Sequence, residues 1–153
     1  MKIIVIYDSK YGHTEKIAKS IGESVDGQVI PVEAMNPADL TGCDLVILGS
    51  PTHGGWFTEG IKKLLETSPT LEGASAAVFD TRTRKSLFGF ASIRMARSLE
   101  KNGVKLIAPP EGFIVQGTKG PLIDGELERA AAWAQEIVRS GSLPNDHEQE
   151  YQG

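Results

Sequence analysis

A doubly wound α/β fold, with helices on both faces of a parallel sheet, is the class this sequence predicts. Three observations predict it. Short apolar runs recur at Ile3–Tyr7 (IIVIY), Val29–Val32 (VIPV), Leu45–Leu48 (LVIL), Ala76–Phe79 (AAVF) and Val104–Ala108 (VKLIA). The first, third and fourth are apolar at consecutive positions, so both faces of each strand need cover, the mark of a parallel sheet. Stretches with helical spacing separate the runs, and strands alternating with helices imply right-handed crossovers.

Each element has its own warrant. Ile17, Ala18, Ile21 and Val25 form one helical stripe, with Lys16, Lys19 and Glu23 outside it. Ile93, Ala96 and Leu99 form a second stripe among Arg94, Arg97, Glu100 and Lys101. Leu127, Ala130, Ala131, Ala134 and Val138 form a third, and Glu59–Leu65 reads as a shorter helix. Asn36–Leu40 is too short to assign. Five strands and about five helices fill residues 1–141 as one domain, with no internal repeat and no linker to divide it. From Ser142 the chain is polar (SLPNDHEQEYQG), so 142–153 reads as a frayed tail, with His147 and its acids solvated rather than holding a metal.

At 153 residues the chain can bury roughly 70% of its unfolded surface. A net charge of -4 is mild, so no basic field is expected to hold nucleic acid or an anionic membrane. No run reaches the length of a membrane span, and the one that follows Met1-Lys2 is too short for a signal-peptide core. Cys43 is the single cysteine, which excludes an internal disulfide and points to a reduced, cytoplasmic setting. His13, His53 and His147 do not form a zinc spacing with it, and G-x-S-x-G is absent.

In an open doubly wound sheet, ligands sit beyond the carboxyl ends of the strands. The loops after Tyr7, Leu48 and Phe79 therefore carry the functional argument. The first reads Asp8-Ser9-Lys10-Tyr11-Gly12-His13-Thr14 (DSKYGHT). A helix starting near His13 leaves its first amide groups unpaired, and its dipole favours an anion there. Gly12 permits close backbone approach, while Ser9 and Thr14 offer hydroxyls, so the loop suits a phosphate. The competing reading is that Ser9 or Thr14 merely caps the helix and Gly12 makes a turn. Neither G-x-x-x-x-G-K-[ST] nor G-x-G-x-x-G occurs.

Ser9-Lys10-Tyr11-Gly12-His13-Thr14, following an N-terminal apolar strand, resembles the phosphate loop of flavodoxins, T/S-x-T-G-x-T. Ser9, Gly12 and Thr14 match the pattern, and Tyr11 replaces its middle threonine. The stretch YGHTEKIA also resembles the loop of flavodoxin-like NAD(P)H:quinone oxidoreductases. The flavodoxin resemblance covers the whole chain in strand and helix order. It implies a flavodoxin-like five-stranded parallel sheet of order 2-1-3-4-5 with FMN as cofactor. The FMN phosphate is then expected in the Ser9, Lys10, Tyr11, Gly12, His13 and Thr14 loop, chiefly on backbone N–H groups.

The second loop, Gly49-Ser50-Pro51-Thr52-His53-Gly54-Gly55-Trp56-Phe57, carries two adjacent glycines that allow positive φ and a peptide able to change orientation. By the resemblance, Pro51, Thr52, His53, Gly54 and Gly55 border the flavin ring. Gly54 then falls where a family glycine offers its carbonyl to N5, and His53 replaces the usual aromatic before it. Trp56 either covers the flavin or packs beneath the next helix. Asp80, Thr81 and Arg82 open the third loop and are expected at the far side of the ring. That loop (DTRTRKSLFGF) lacks the family tyrosine and is cationic at Arg82, Arg84 and Lys85. Phe88 or Phe90 either supplies the missing face or packs with the following helix. Cations there are expected to stabilise reduced, anionic flavin, unless all three point to solvent and salt screens them.

The resemblance implies an electron carrier acting with a redox partner protein, with no side chain as a covalent catalyst. Two alternatives stay open. One is an NAD(P)H-dependent quinone or nitro reductase, although such reductases carry an extra segment after the fourth strand. The other is a flavin-free interaction module that kept the fold.

Overall fold

The computed structural model describes residues 1–66, 71, 73–85 and 87–140. The polar tail from Ser142, with His147, and Ser86 of the third loop lie outside them. The chain runs β1 (Ile3–Tyr7), α1 (His13–Val25), β2 (Gln28–Pro31), β3 (Leu45–Pro51), α2 (Glu59–Glu66), β4 (Ser75–Arg82), α3 (Ala91–Lys101), β5 (Lys105–Leu106), β6 (Glu111–Ile114) and α4 (Glu126–Ser140). Single 3₁₀ turns at Val32–Ala34 and Pro37–Leu40 link β2 to β3. The second of these is the stretch too short to assign from sequence. Among the described residues there are thus four α-helices where about five helices were expected.

All strands pair in parallel in the order β2-β1-β3-β4-β5, with β6 also on β4. The order matches expectation, but the sheet has six strands rather than five. Lys105–Leu106 pairs with Ser75–Ala76, and Glu111–Ile114 pairs with Phe79–Arg82. The expected strand Val104–Ala108 is therefore cut short. Pro109 and Pro110 lack amide donors, so the ladder breaks between the two short strands.

Alternation along the strands splits the core in two. Ile4, Ile6, Val46, Leu48, Ala76 and Val78 face the layer holding α2 and α3. Ile3, Val5, Leu45, Ile47, Ala77 and Phe79 face α1 and α4. The consecutive apolar positions in β1, β3 and β4 thus fill both layers. Ile17, Ala18 and Ile21 of α1 are fully buried and share that layer with Ala130, Ala134 and Ile137 of α4. Two stripe positions depart from expectation: Ile93 and Leu127 are exposed, and Met95 and Ile137 take the buried places. No described helix is long and apolar enough to cross a membrane.

Two contacts fix the edge where the loops emerge. The Phe79 ring lies against Gly49, where a Cβ would sit 2.1 Å from it. Tyr7 donates its hydroxyl to Glu15 at 2.7 Å, tying the end of β1 to the first turn of α1.

Candidate functional site

Parallel pairing brings the ends of β1, β3, β4 and β6 to one edge, and their loops enclose a cleft of about 350 Å³. Lys10, Tyr11, His13 and Thr14 line it from the first loop. Pro51, Thr52, His53, Gly54 and Gly55 line it from the second, and Thr81 and Arg82 from the end of β4. Eleven of the fifteen residues picked out from the sequence thus share one cavity. Ser9, Gly12, Trp56 and Asp80 are not in its wall.

The first loop is a preformed turn. Gly12 precedes α1 at φ 90°, ψ -5°, a left-handed conformation that strains any side-chain-bearing residue. Ser9 Oγ accepts from the Gly12 amide at 3.0 Å and, at greater length, from Glu15 at 3.4 Å. Ser9 therefore holds the loop, which is why it lies behind the cleft wall. The helix start leaves the His13 and Thr14 amides without intrahelical acceptors. Thr14 Oγ1 lies 2.9 Å from Thr81 Oγ1 in a buried hydroxyl pair. Only one proton of such a pair is used internally, so the other can serve a ligand.

The second loop makes a tight hairpin. His53 and Trp56 exchange backbone hydrogen bonds of 3.0 Å in both directions around Gly54 and Gly55. Both glycines have positive φ, 56° and 84°, the requirement of a type I′ turn. Gly55 has a second constraint: a Cβ there would sit 2.3 Å from the Phe88 carbonyl oxygen. Arg94 binds this crossing, donating to Gly55 at 2.8 Å and to Phe88 at 2.9 Å. Its guanidinium also lies 3.9 Å from the centre of the Trp56 ring. Trp56 thus neither lines the cleft nor packs beneath α2. It is 53% exposed and stacked with Arg94.

The third loop differs most from expectation. Asp80 is fully buried, and Arg82 pairs with it through contacts of 2.6 and 2.8 Å. Asp80 also accepts from the Ser92 amide, and the Arg82 guanidinium stacks on Phe90 at 3.5 Å. Gly112 makes room for that guanidinium, since a Cβ there would lie 2.2 Å from it. Asp80 therefore serves β4 and α3 rather than a ligand. Arg82 reaches the cleft with its charge already matched, because residues two apart on a strand share a face. Phe90 is the ring against Arg82, whereas Phe88 reaches the cleft and is 67% exposed.

Lining residues outside that set are Thr83, Lys85, Leu87, Phe88, Val115 and Thr118. Val115 and Thr118 follow β6, the strand whose half-exposed Glu111-Gly112 start concealed it in the sequence.

The cleft has unfilled polar capacity. Both ring nitrogens of His13 and Nε2 of His53 are buried with no hydrogen-bond partner, an unusual state for buried nitrogens. Burial holds the His53 pKa below the ordinary histidine value, and the nearby Lys10 charge lowers it further against the pull of Asp8. His53 is thus a neutral donor or acceptor near neutral pH. A helix start with open amides, a spare hydroxyl and unpaired imidazole nitrogens fit a phosphorylated, hydrogen-bonding ligand.

Comparison with known proteins decides the family. A family model described as Flavodoxin domain matches residues 4–102. A flavodoxin of Clostridium saccharobutylicum is 31% identical over 125 residues, covering 76% of this chain and 77% of that protein. The chain belongs to the flavodoxin family. Flavodoxins bind FMN and transfer electrons to and from redox partners, and this chain is such an FMN-binding electron-transfer protein. The solved flavodoxin 1 of Bacillus cereus shares the fold at a TM-score of 0.77 and 20% identity, over 93% of this chain and all of that one (100%). A flavodoxin from the domain Archaea shares it at a TM-score of 0.75 and 23% identity, over 91% of this chain and 97% of that one.

Proposed function

We propose that FMN occupies the cleft, with its phosphate at the first loop and its ring between the second and third. The observation that carries this placement is the left-handed Gly12 opening α1 directly beside a cleft with unpaired polar groups. The amides of His13 and Thr14 would hold the phosphate with the helix dipole behind them, and the Thr14–Thr81 hydroxyl pair would add one donor. Lys10 supplies charge at the same end. Ser9 and Gly12 shape the loop without lining the cleft. Thr52, His53, Gly54 and Gly55 border the ring, and Arg94 fixes the outer side of their turn. The Gly54 carbonyl is left as an acceptor for the ring edge, while the Gly55 carbonyl is committed to Arg94.

Bound FMN supplies the electron-transfer chemistry, and the chain supplies position and electrostatics. An electron carrier is favoured over a stand-alone reductase because residues 83–90 alone connect β4 to α3, with no added segment. The visible absorbance of the purified protein, before and after incubation with FMN, tests the placement. A flavin spectrum that survives gel filtration is expected in wild type and is lost in Gly12→Val. A protein that stays colourless, or a Gly12→Val variant as yellow as wild type, contradicts it. NADPH mixed with protein and a quinone should show no sustained loss of nicotinamide absorbance.

A further inference from the structure

Charge is segregated in this chain to a degree that its net value conceals. The described residues of segments 9–14, 50–58, 81–94 and 115–123 all leave the carboxyl edge of the sheet and surround the cleft. Together they contain Lys10, Arg82, Arg84, Lys85, Arg94 and Lys119, and no aspartate or glutamate. Removing those six from the 16 Lys and Arg leaves 10 against 20 Asp and Glu, a net charge of -10 for the rest of the chain. Arg82 is neutralised by Asp80, so five cations remain around the cleft mouth. Lys10, Arg84, Lys85 and Lys119 are exposed and form no ion pair among the described residues. Of the acids that border these segments, Asp80 pairs with Arg82, Asp8 accepts from the Thr58 hydroxyl and Glu15 from Tyr7, while Glu59 and Asp124 close the second and fourth segments.

The same mouth carries the exposed large apolar side chains Tyr11, Trp56, Leu87 and Phe88, at 40%, 53%, 86% and 67% exposure. Trp56 is held by Arg94, so its ring is presented in a fixed orientation. Aromatic residues and arginine without acids are the composition of an interface centre. A small anion would be served by the cations alone and would leave these side chains in water.

From the cations and apolar side chains gathered at one edge, we infer that the cleft mouth is a docking surface for an acidic redox protein. The inference rests on FMN occupying the cleft, because docking there places a partner beside the cofactor. The partner meets a local positive field although the chain as a whole is acidic. Such a field steers encounter over about 10 Å at 0.1 M salt and fades as salt rises.

The test is titration of the isotope-labelled, FMN-loaded protein with an acidic ferredoxin, followed by NMR at about 20 mM and about 300 mM salt. Amide shifts confined to the four segments are expected, with affinity falling about tenfold between the two salts. The variant Arg84→Glu, Lys119→Glu, whose changes lie outside the cleft wall, should weaken binding by about another tenfold with an unchanged flavin spectrum. A loss of flavin spectrum in wild type would instead count against the FMN placement, so the two failures are distinct. The docking surface is overturned by no shifts at low salt, by shifts on the opposite edge, or by a charge-reversed variant that binds as well as wild type. An oligonucleotide of similar charge that binds as tightly as the ferredoxin would also overturn it.

Discussion

Arg82 grips the buried carboxylate of Asp80 through two nitrogen–oxygen contacts, of 2.6 and 2.8 Å. This pairing reverses the role that the basic third loop suggests. A cation whose charge is matched two residues away stabilises reduced flavin far less than a free one. Removing Arg82 strands a carboxylate with no exposure, and breaking such a pair costs about 3 kcal/mol or more. Arg82→Gln should therefore lower stability in urea melts by that order, while Asp80→Asn with Arg82→Gln regains most of it. A redox titration of Arg82→Gln should show little change in flavin potential.

The two glycines of the second loop should respond unequally. Both need positive φ, which costs a side-chain-bearing residue about 1–2 kcal/mol. Gly54→Ala meets nothing within 4 Å, whereas Gly55→Ala collides with the Phe88 carbonyl. Gly55→Ala is expected to be the more destabilised in thermal melts and to lose more FMN affinity, because loops two and three must separate.

The Thr14–Thr81 hydroxyl pair should behave as one unit. Thr14→Ala or Thr81→Ala should each weaken FMN binding by about 1–2 kcal/mol, through a lost donor and an unpaired neighbour. The double variant should cost less than the sum, since the pair shares one free proton. Titration of each apo variant with FMN gives the coupling energy.

Tyr7 provides a pH signature. Burial, and then its hydrogen bond to Glu15, push its pKa up to about 12, above the ordinary tyrosine value of 10.0. The unfolded chain ionises this phenol first. The stabilisation is therefore complete below pH 10 and is lost as pH rises towards about 12. Tyr7→Phe should be less stable than wild type near neutrality, with the gap closing over that alkaline window in denaturant melts.

The sheet was legible where burial is two-sided. The runs in β1, β3 and β4 are apolar at successive positions because each faces a helix layer on both sides. The loops were legible because their chemistry lies in adjacent residues, as in Gly12-His13-Thr14 and Gly54-Gly55. β6 was not, since Glu111 and Gly112 break the apolar pattern and Pro109-Pro110 cut the preceding strand. With β6 hidden, Val115 and Thr118 had no route to the site. The Asp80–Arg82 pair leaves a signal in the spacing of two along a strand, but the neighbouring Arg84 and Lys85 mask it. Trp56 depended on Arg94, 38 positions later, and no local pattern reports such a contact.

If the first loop seats a phosphate, FMN and riboflavin must bind unequally. The two ligands share the ring and differ by the phosphate alone. Titrating apo protein with each, by quenching of flavin fluorescence, should show FMN binding at least about a hundredfold more tightly, about 3 kcal/mol. That advantage should largely vanish in Gly12→Val. Equal binding of riboflavin and FMN, or no saturable binding of either, would contradict the account.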